Sequence, residues 1–199
     1  MSTFVLKNVV LSYPHLVNPN GKILSADEKP VYTACLLIDK SDTKQVEQLN
    51  AIIKEEAKRA LQKKWEGKQP KQYSPLKDGD GVKDNGESYG NECKNRYILN
   101  VKANEQPRMV DEFKKSCYDE RKFYPGCRVH VQLNMYGYNV NGKKGLTTKI
   151  INVMWAGDDV RLGGDMTPEE AFADIPTATP LTEGWNTDND FGLHDDLPF

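Results

Sequence analysis

Residues 127–138, CRVHVQLNMYGY, alternate two kinds of side chain. Cys127, Val129, Val131, Leu133 and Met135 are apolar. Between them, Arg128, His130, Gln132, Asn134, Tyr136 and Tyr138 bring a cation, hydrogen-bonding groups and two phenol rings. A period of two puts each set on its own face of a β-strand. An ordinary solvated face would mix charges and threonines. This one offers rings that can stack on bases, and Lys143, Lys144 and Lys149 follow as partners for phosphates. Stacking combined with phosphate neutralisation is the chemistry of sequence-tolerant binding to single-stranded nucleic acid. The competing reading is that the tyrosines cover the sheet beneath a loop.

Upstream, residues 108–128 interleave Arg108, Lys114, Lys115, Arg121 and Lys122 with Phe113, Tyr118, Phe123 and Tyr124, diluted by four acids. Half of these positions suit ordinary packing and surface. Arg108, and Lys102 in the run before it, complete the candidate contacts.

Catalytic chemistry finds little support. The chain has no GxSxG, P-loop, GxGxxG or HExxH motif, and His15, His130 and His194 lie in separate segments. The carboxylate pairs Asp111-Glu112 and Asp158-Asp159 are adjacent residues, which in a strand point to opposite faces and share a metal poorly. A metal-dependent nuclease stays as a rival reading. Cys35, Cys93, Cys117 and Cys127 are scattered without a CxxC pair, so reduced, packed thiols are expected rather than a zinc site. KDGDGVKDNG resembles a calcium loop until Lys83 stands at the glycine position and Tyr89 at the bidentate-glutamate position. No metal or cofactor is expected.

The elements that must position these residues are mostly strands. STFVLKNVVLSYP reads as an opening strand stopped by Pro14, and PVYTACLLIDK as a central strand apolar on both faces. Helical spacing of Val46, Leu49, Ile53, Ala57, Ala60 and Leu61 follows, with Asp42 and Gln45 as a capping box and Gly67 as the stop. The basic residues on the other helix face read as solvated surface. Residues 66–96 hold five glycines and two prolines without periodicity, and six acids balance six bases, so they read as a long loop insertion. Three strands come next, RYILNVKAN, the one at 127–138 and LTTKIINVMWAG, the last two joined through the turn residues Asn141-Gly142 and Gly145. Five strands and one long helix are compatible with a small closed β-barrel over residues 1–156.

At 199 residues and a mean hydropathy of −0.69, the chain has the size and polarity of one soluble domain with appendages. It lacks a membrane-length apolar run, and its start, MSTFVLKNVV, has no signal-peptide pattern, so a cytoplasmic protein is expected. Charge divides it. Residues 157–199 carry 11 acids and one base, net −10, whereas residues 1–156 carry 26 bases and 18 acids, net +8. A basic body that meets polyanions, followed by a disordered acidic tail, fits that asymmetry. The tail closes on DNDFGLHDDLPF. Asp195 and Asp196 would steer an encounter, Pro198 limits the entropy lost on docking, and Phe199 brings a ring and a carboxylate to a pocket, with Leu197 part of the same docking stretch. A docking peptide is expected there, with a solubilising tail as the alternative.

LSYPHL, KSDT, PLKDGD, YPGCRVHVQLNMYGYN and GLTTKIINVMWAGDDVRLGG together resemble the phage-encoded OB-fold single-stranded-DNA-binding proteins, in matching order over residues 4–164. The resemblance implies a five-stranded, partly open OB barrel that binds single-stranded DNA without strong sequence preference, as a replication or recombination accessory. DDLPF is similar to the acidic, phenylalanine-terminated tails with which single-strand-binding proteins recruit replication partners. The resemblance carries over no residue-level DNA site. A protein-interaction module on the same barrel is the rival from another class, and the sequence leaves the oligomeric state, a homo-oligomer included, open.

Overall fold

Strands formed by the expected alternation close on themselves in the computed structural model, which describes residues 2–163 together with 172, 174 and 175. In chain order the elements are β1 (Ser2–Leu24), β2 (Pro30–Asp39), α1 (Thr43–Lys63), β3 (Leu76–Asp78), a 3₁₀ turn (Asn91–Cys93), β4 (Arg96–Ala103), β5 (Arg108–Val110), β6 (Arg128–Val140) and β7 (Lys143–Gly157). Antiparallel ladders join β4 to β2, β2 to β1, β1 to β6 and β6 to β7. A parallel bridge, Lys102 to Lys149, closes β4 onto β7. The result is a five-stranded OB barrel. The short β3 and β5, invisible to the periodicity argument, extend β4 and β7.

The inward set of each strand fills the barrel. Leu6, Leu36, Leu99, Val131, Leu133 and Ile150 are all buried. Leu49, Ile53, Ala57 and Ala60 lay the apolar stripe of α1 against it. Gly137 of β6 lets the helix approach, because a Cβ there would lie 2.4 Å from that of Ala60. The Asp42 carboxylate caps the helix by accepting from the Gln45 N–H at 3.2 Å. The Gln45 side chain does not reciprocate. Its amide instead accepts from the Lys7 N–H (2.6 Å) and donates to the Lys7 carbonyl (3.1 Å), tying α1 to β1.

Two sequence expectations are corrected. Pro14 does not stop the first strand. Pairing shifts register between Ser12 and His15, and Tyr13 takes φ 45°, so the proline falls in an irregularity where its missing N–H breaks no ladder bond and β1 runs on to Leu24. Residues 66–96 are likewise more than a loop. β3 pairs with β4, the Lys40 ammonium binds Asp78 (2.5 Å) and Asp80 (2.7 Å), and the Gly79 N–H donates to the Arg96 carbonyl at 2.9 Å. A Cβ on Gly79 would lie 2.1 Å from the Cys93 carbonyl oxygen, so only glycine allows that approach.

One compact unit spans Met1–Gly164, past the boundary expected at residue 156, and the other spans Asp165–Phe199. Residues beyond Gly157 still engage the barrel: the Leu162 N–H donates to the Pro125 carbonyl at 2.8 Å. The expected docking residues Asp195, Asp196, Leu197, Pro198 and Phe199 lie outside the described residues. No described helix is long and apolar enough to cross a membrane.

Arg128 differs from its expected role as a phosphate contact. Its guanidinium donates to Asp39 (2.7 Å), Asp159 (2.6 Å) and the Asn8 carbonyl (3.0 Å), and Arg96 reaches the other Asp39 oxygen at 2.7 Å. Burial pushes the Asp39 carboxyl up, but the hydrogen bonds and charges of Arg128 and Arg96 outweigh it and hold the group below its ordinary 3.8. A depressed carboxylate stabilises the fold above its unfolded value, and the contribution disappears as pH falls through the folded value. Asp39→Asn should therefore lower the unfolding free energy at neutral pH by about 1–3 kcal/mol. Urea titrations should show the gap to wild type closing below pH 3.8. An equal gap at neutral and acid pH would rule out this electrostatic account.

Candidate nucleic-acid interface

A groove of about 800 Å³ runs along the outward face of the barrel. Its floor is Thr33 and Cys35 of β2 with Ile98, Asn100 and Lys102 of β4, all outward by the period of two. Tyr13, His15, Asn20 and Ile23 of β1 form one wall. Lys77 of β3 with Lys83, Tyr89, Glu92 and Cys93 of the 66–96 segment form the other, and Thr147 of β7 closes one end.

Local geometry places a tyrosine on each wall. The irregularity before Pro14 holds Tyr13 at φ 45°, a left-handed conformation that a bulky residue adopts only under constraint. It leaves Tyr13 71% exposed at the groove edge. Across the groove the Lys83 ammonium stands 6.0 Å from the centre of the Tyr89 ring. Lys77 and Lys102 form no ion pair among the described residues, and Lys149 faces Lys102 in the closing register, so positive charge lines the floor and seam. The thiols are poor nucleophiles: burial, then the neighbouring Cys93 and Glu92, push Cys35 up to about 12, and burial raises Cys93. No cluster of three or more metal-ligating side chains occurs among the described residues.

The residues singled out from sequence do not converge on one surface. Lys102 lies in the groove, with Lys149 beside it in register. Arg108 and His130 line a separate hollow of about 470 Å³ with Val5, Lys114, Gln132 and Asn152. There the Arg108 guanidinium donates to Asn152 Oδ1 at 3.0 Å, and His130 Nδ1 accepts from the Asn8 N–H at 3.0 Å, so its proton is on Nε2 if the ring is neutral. Tyr136 and Tyr138 line a third hollow of about 420 Å³ against α1, beside Arg59, Lys63 and Lys64. Lys143 is exposed at the β6–β7 turn, and Lys144 is held by Glu66 (3.0 Å) and the Trp65 carbonyl (2.9 Å). The cause is geometric. A 13-residue strand on a curved barrel, with a register shift between Gln132 and Leu133, spreads its outward side chains around the body.

The groove residues that pattern reading missed are Tyr13, His15, Lys77, Lys83 and Tyr89. One signal was available: a tyrosine before a proline within an alternating apolar run marks a bulge, and bulges re-aim side chains. Nothing local marks Tyr89, because its place depends on how the 66–96 segment docks.

Comparison with known proteins bears on the fold and the family. The p50 protein of Acyrthosiphon pisum secondary endosymbiont phage 1 is 29% identical over 187 residues, 87% of this chain and 94% of that protein. The single-stranded DNA-binding protein from bacteriophage Enc34, solved in complex with ssDNA, matches with a TM-score of 0.66 at 21% identity, over 81% of this chain and 89% of its own. The single-stranded DNA binding protein gp2.5 encoded by bacteriophage T7 matches with a TM-score of 0.54 at 14% identity, over 92% and 99%. These two likenesses speak for the fold. Residues 2–182 match the family described as the ssDNA-binding protein of Enterobacter phage Enc34, and the chain belongs to that family.

Proposed function

We propose that this protein holds single-stranded DNA in the groove between Tyr13 and Tyr89, without strong sequence preference, as an accessory to phage DNA replication or recombination in the host cytoplasm. The observation that carries the reading is one groove with an aromatic residue on each wall, Lys102 on its floor, and Lys77 and Lys83 in one wall. Unpaired bases stack on the rings while Lys77, Lys83, Lys102 and Lys149 neutralise phosphates. Function is binding, not turnover, in keeping with the family. Bases within a duplex are already stacked on one another, so the groove favours single strands.

Anisotropy titrations should show tighter binding of a single-stranded oligonucleotide than of its duplex, with steep weakening as salt rises. Equal affinities in one buffer would defeat the proposal.

Tyr13→Ala and Tyr89→Ala should each weaken binding by roughly 1–3 kcal/mol with the salt slope unchanged. Lys102→Ala should instead reduce the slope of log K against log salt by about 0.7, one single-strand phosphate contact. Tyr136→Ala and Tyr138→Ala, measured alongside, test the rival surface beside α1. If they weaken binding while Tyr13→Ala does not, the DNA path follows β6.

The acidic segment is proposed to dock replication or recombination proteins and to compete with DNA. Residues 188–199 carry Asp188, Asp190, Asp195 and Asp196 and no lysine or arginine. Deleting them should strengthen DNA binding at low salt, with the gain fading as screening shortens to about 8 Å near physiological ionic strength. Phe199→Ala should impair partner docking and leave the competition intact. An unchanged low-salt affinity after deletion would refute the competition.

A further inference from the structure

Among the residues lining the groove, one is a carboxylate. Glu92 lies on the 3₁₀ turn Asn91–Cys93 in the wall opposite Tyr13, among Lys77, Lys83 and Lys102. An acid in a groove for a polyanion calls for a reason. Its side chain forms no ion pair or hydrogen bond among the described residues; the Arg96 guanidinium binds its backbone carbonyl instead, at 3.0 Å. The carboxylate is folded onto Gly90. A Cβ on that glycine would lie 2.1 and 2.3 Å from the two carboxylate oxygens. Gly90 has φ −62°, so what the glycine provides is space rather than an unusual backbone. The charge is felt on the groove floor: after burial and Cys93, Glu92 raises the Cys35 thiol, and after burial it raises Cys93.

A carboxylate repels a phosphate at this position but can accept from the edge of a base. An unpaired cytosine or adenine offers an exocyclic amino group to a carboxylate, and guanine offers N1–H beside its amino group. Thymine offers N3–H only, flanked by two carbonyl oxygens that the carboxylate repels. Resting on the reading of this groove as the single-strand site, we propose that Glu92 is a base-edge acceptor. It gives an otherwise sequence-tolerant groove a preference for amino-bearing bases over thymine, and it orients the strand with phosphates toward Lys102 and a base edge toward the 3₁₀ turn.

The test uses the full chain and two oligonucleotides of equal length, oligo-dC and oligo-dT, titrated at neutral pH and two salt concentrations. Wild type should bind oligo-dC about fivefold more tightly, the low end for a base-edge contact because Glu92 is only partly buried. Glu92→Gln should bring the ratio close to one, chiefly by raising affinity for oligo-dT. Gly90→Ala keeps the charge and pushes the flexible carboxylate off its seat, so it should shrink the ratio as well. Lys102→Ala should weaken both oligonucleotides alike and leave the ratio intact. A wild-type ratio of one, or a ratio that survives Glu92→Gln, overturns the inference while leaving the groove as the binding site. Failure of both oligonucleotides to bind overturns the groove reading, and this inference with it.

Discussion

Closure of the barrel rests on a short parallel contact between two strands that are otherwise unrelated in the sheet, β4 and β7, in register at Lys102 and Lys149. Without it the edges of β4 and β7 that face each other beyond the stretches paired with β3 and β5 would be left open, which proteins avoid. Placing two lysines at paired positions on a seam is costly, because like charges opposite one another repel. That cost makes sense on the surface proposed for DNA: a phosphate lying along the seam relieves the repulsion. The contact that completes the fold and the contact that favours a polyanion are the same one.

Closure also fixes which faces are available. Inward positions are spent on the core, and α1 packs onto that core through Ala60 and Gly137. The 66–96 segment covers part of the outer surface, where Cys93 packs with Val10, Leu37 and Ile98 in a second apolar cluster. What stays open between that cluster and the extended arm of β1 is the groove. Lys40 with Asp78 and Asp80, and the close approach of Gly79 to β4, anchor the segment at its foot. Tyr89 and Glu92 are thereby presented from a braced wall, and ordering them on DNA requires less entropy than ordering a free loop.

The barrel was legible because its strands and helix obey simple periods. Leu49, Ile53, Ala57 and Ala60 are buried as helical spacing requires, and Val129, Val131, Leu133 and Met135 as alternation requires. The site was less legible, because alternation assigns a face of a strand, not a region of a curved surface. Arg128, His130 and Tyr136 share one face of β6 yet stand in an ion-pair network, a lateral hollow and a pocket beside α1. Trp65, fully buried and bonded through its indole N–H to the Tyr138 carbonyl, lies beyond the helix in a stretch without period. Pro14 misled for a related reason: proline ends a regular ladder but is accommodated at an irregularity, and register shifts depend on pairing that one strand's residues do not encode.

The two kinds of cation divide the work. All six arginines have partners within the protein. Arg59 binds Glu55 and Glu56, Arg96 and Arg128 share Asp39, Arg108 binds Asn152, Arg121 binds Asp119, and Arg161 stacks on Tyr124. The planar fork of a guanidinium suits fixed, two-point contacts, and here it joins strands and orders turns. The groove is left to lysines. An ammonium on a flexible stem acts as a point charge with no preferred approach, so it can follow a phosphate as the strand shifts by a nucleotide. A surface proposed to bind without strong sequence preference gains from that indifference. Discrimination then has to come from a group that addresses bases rather than phosphates, which is the role proposed for Glu92, the one carboxylate among the residues that line the groove.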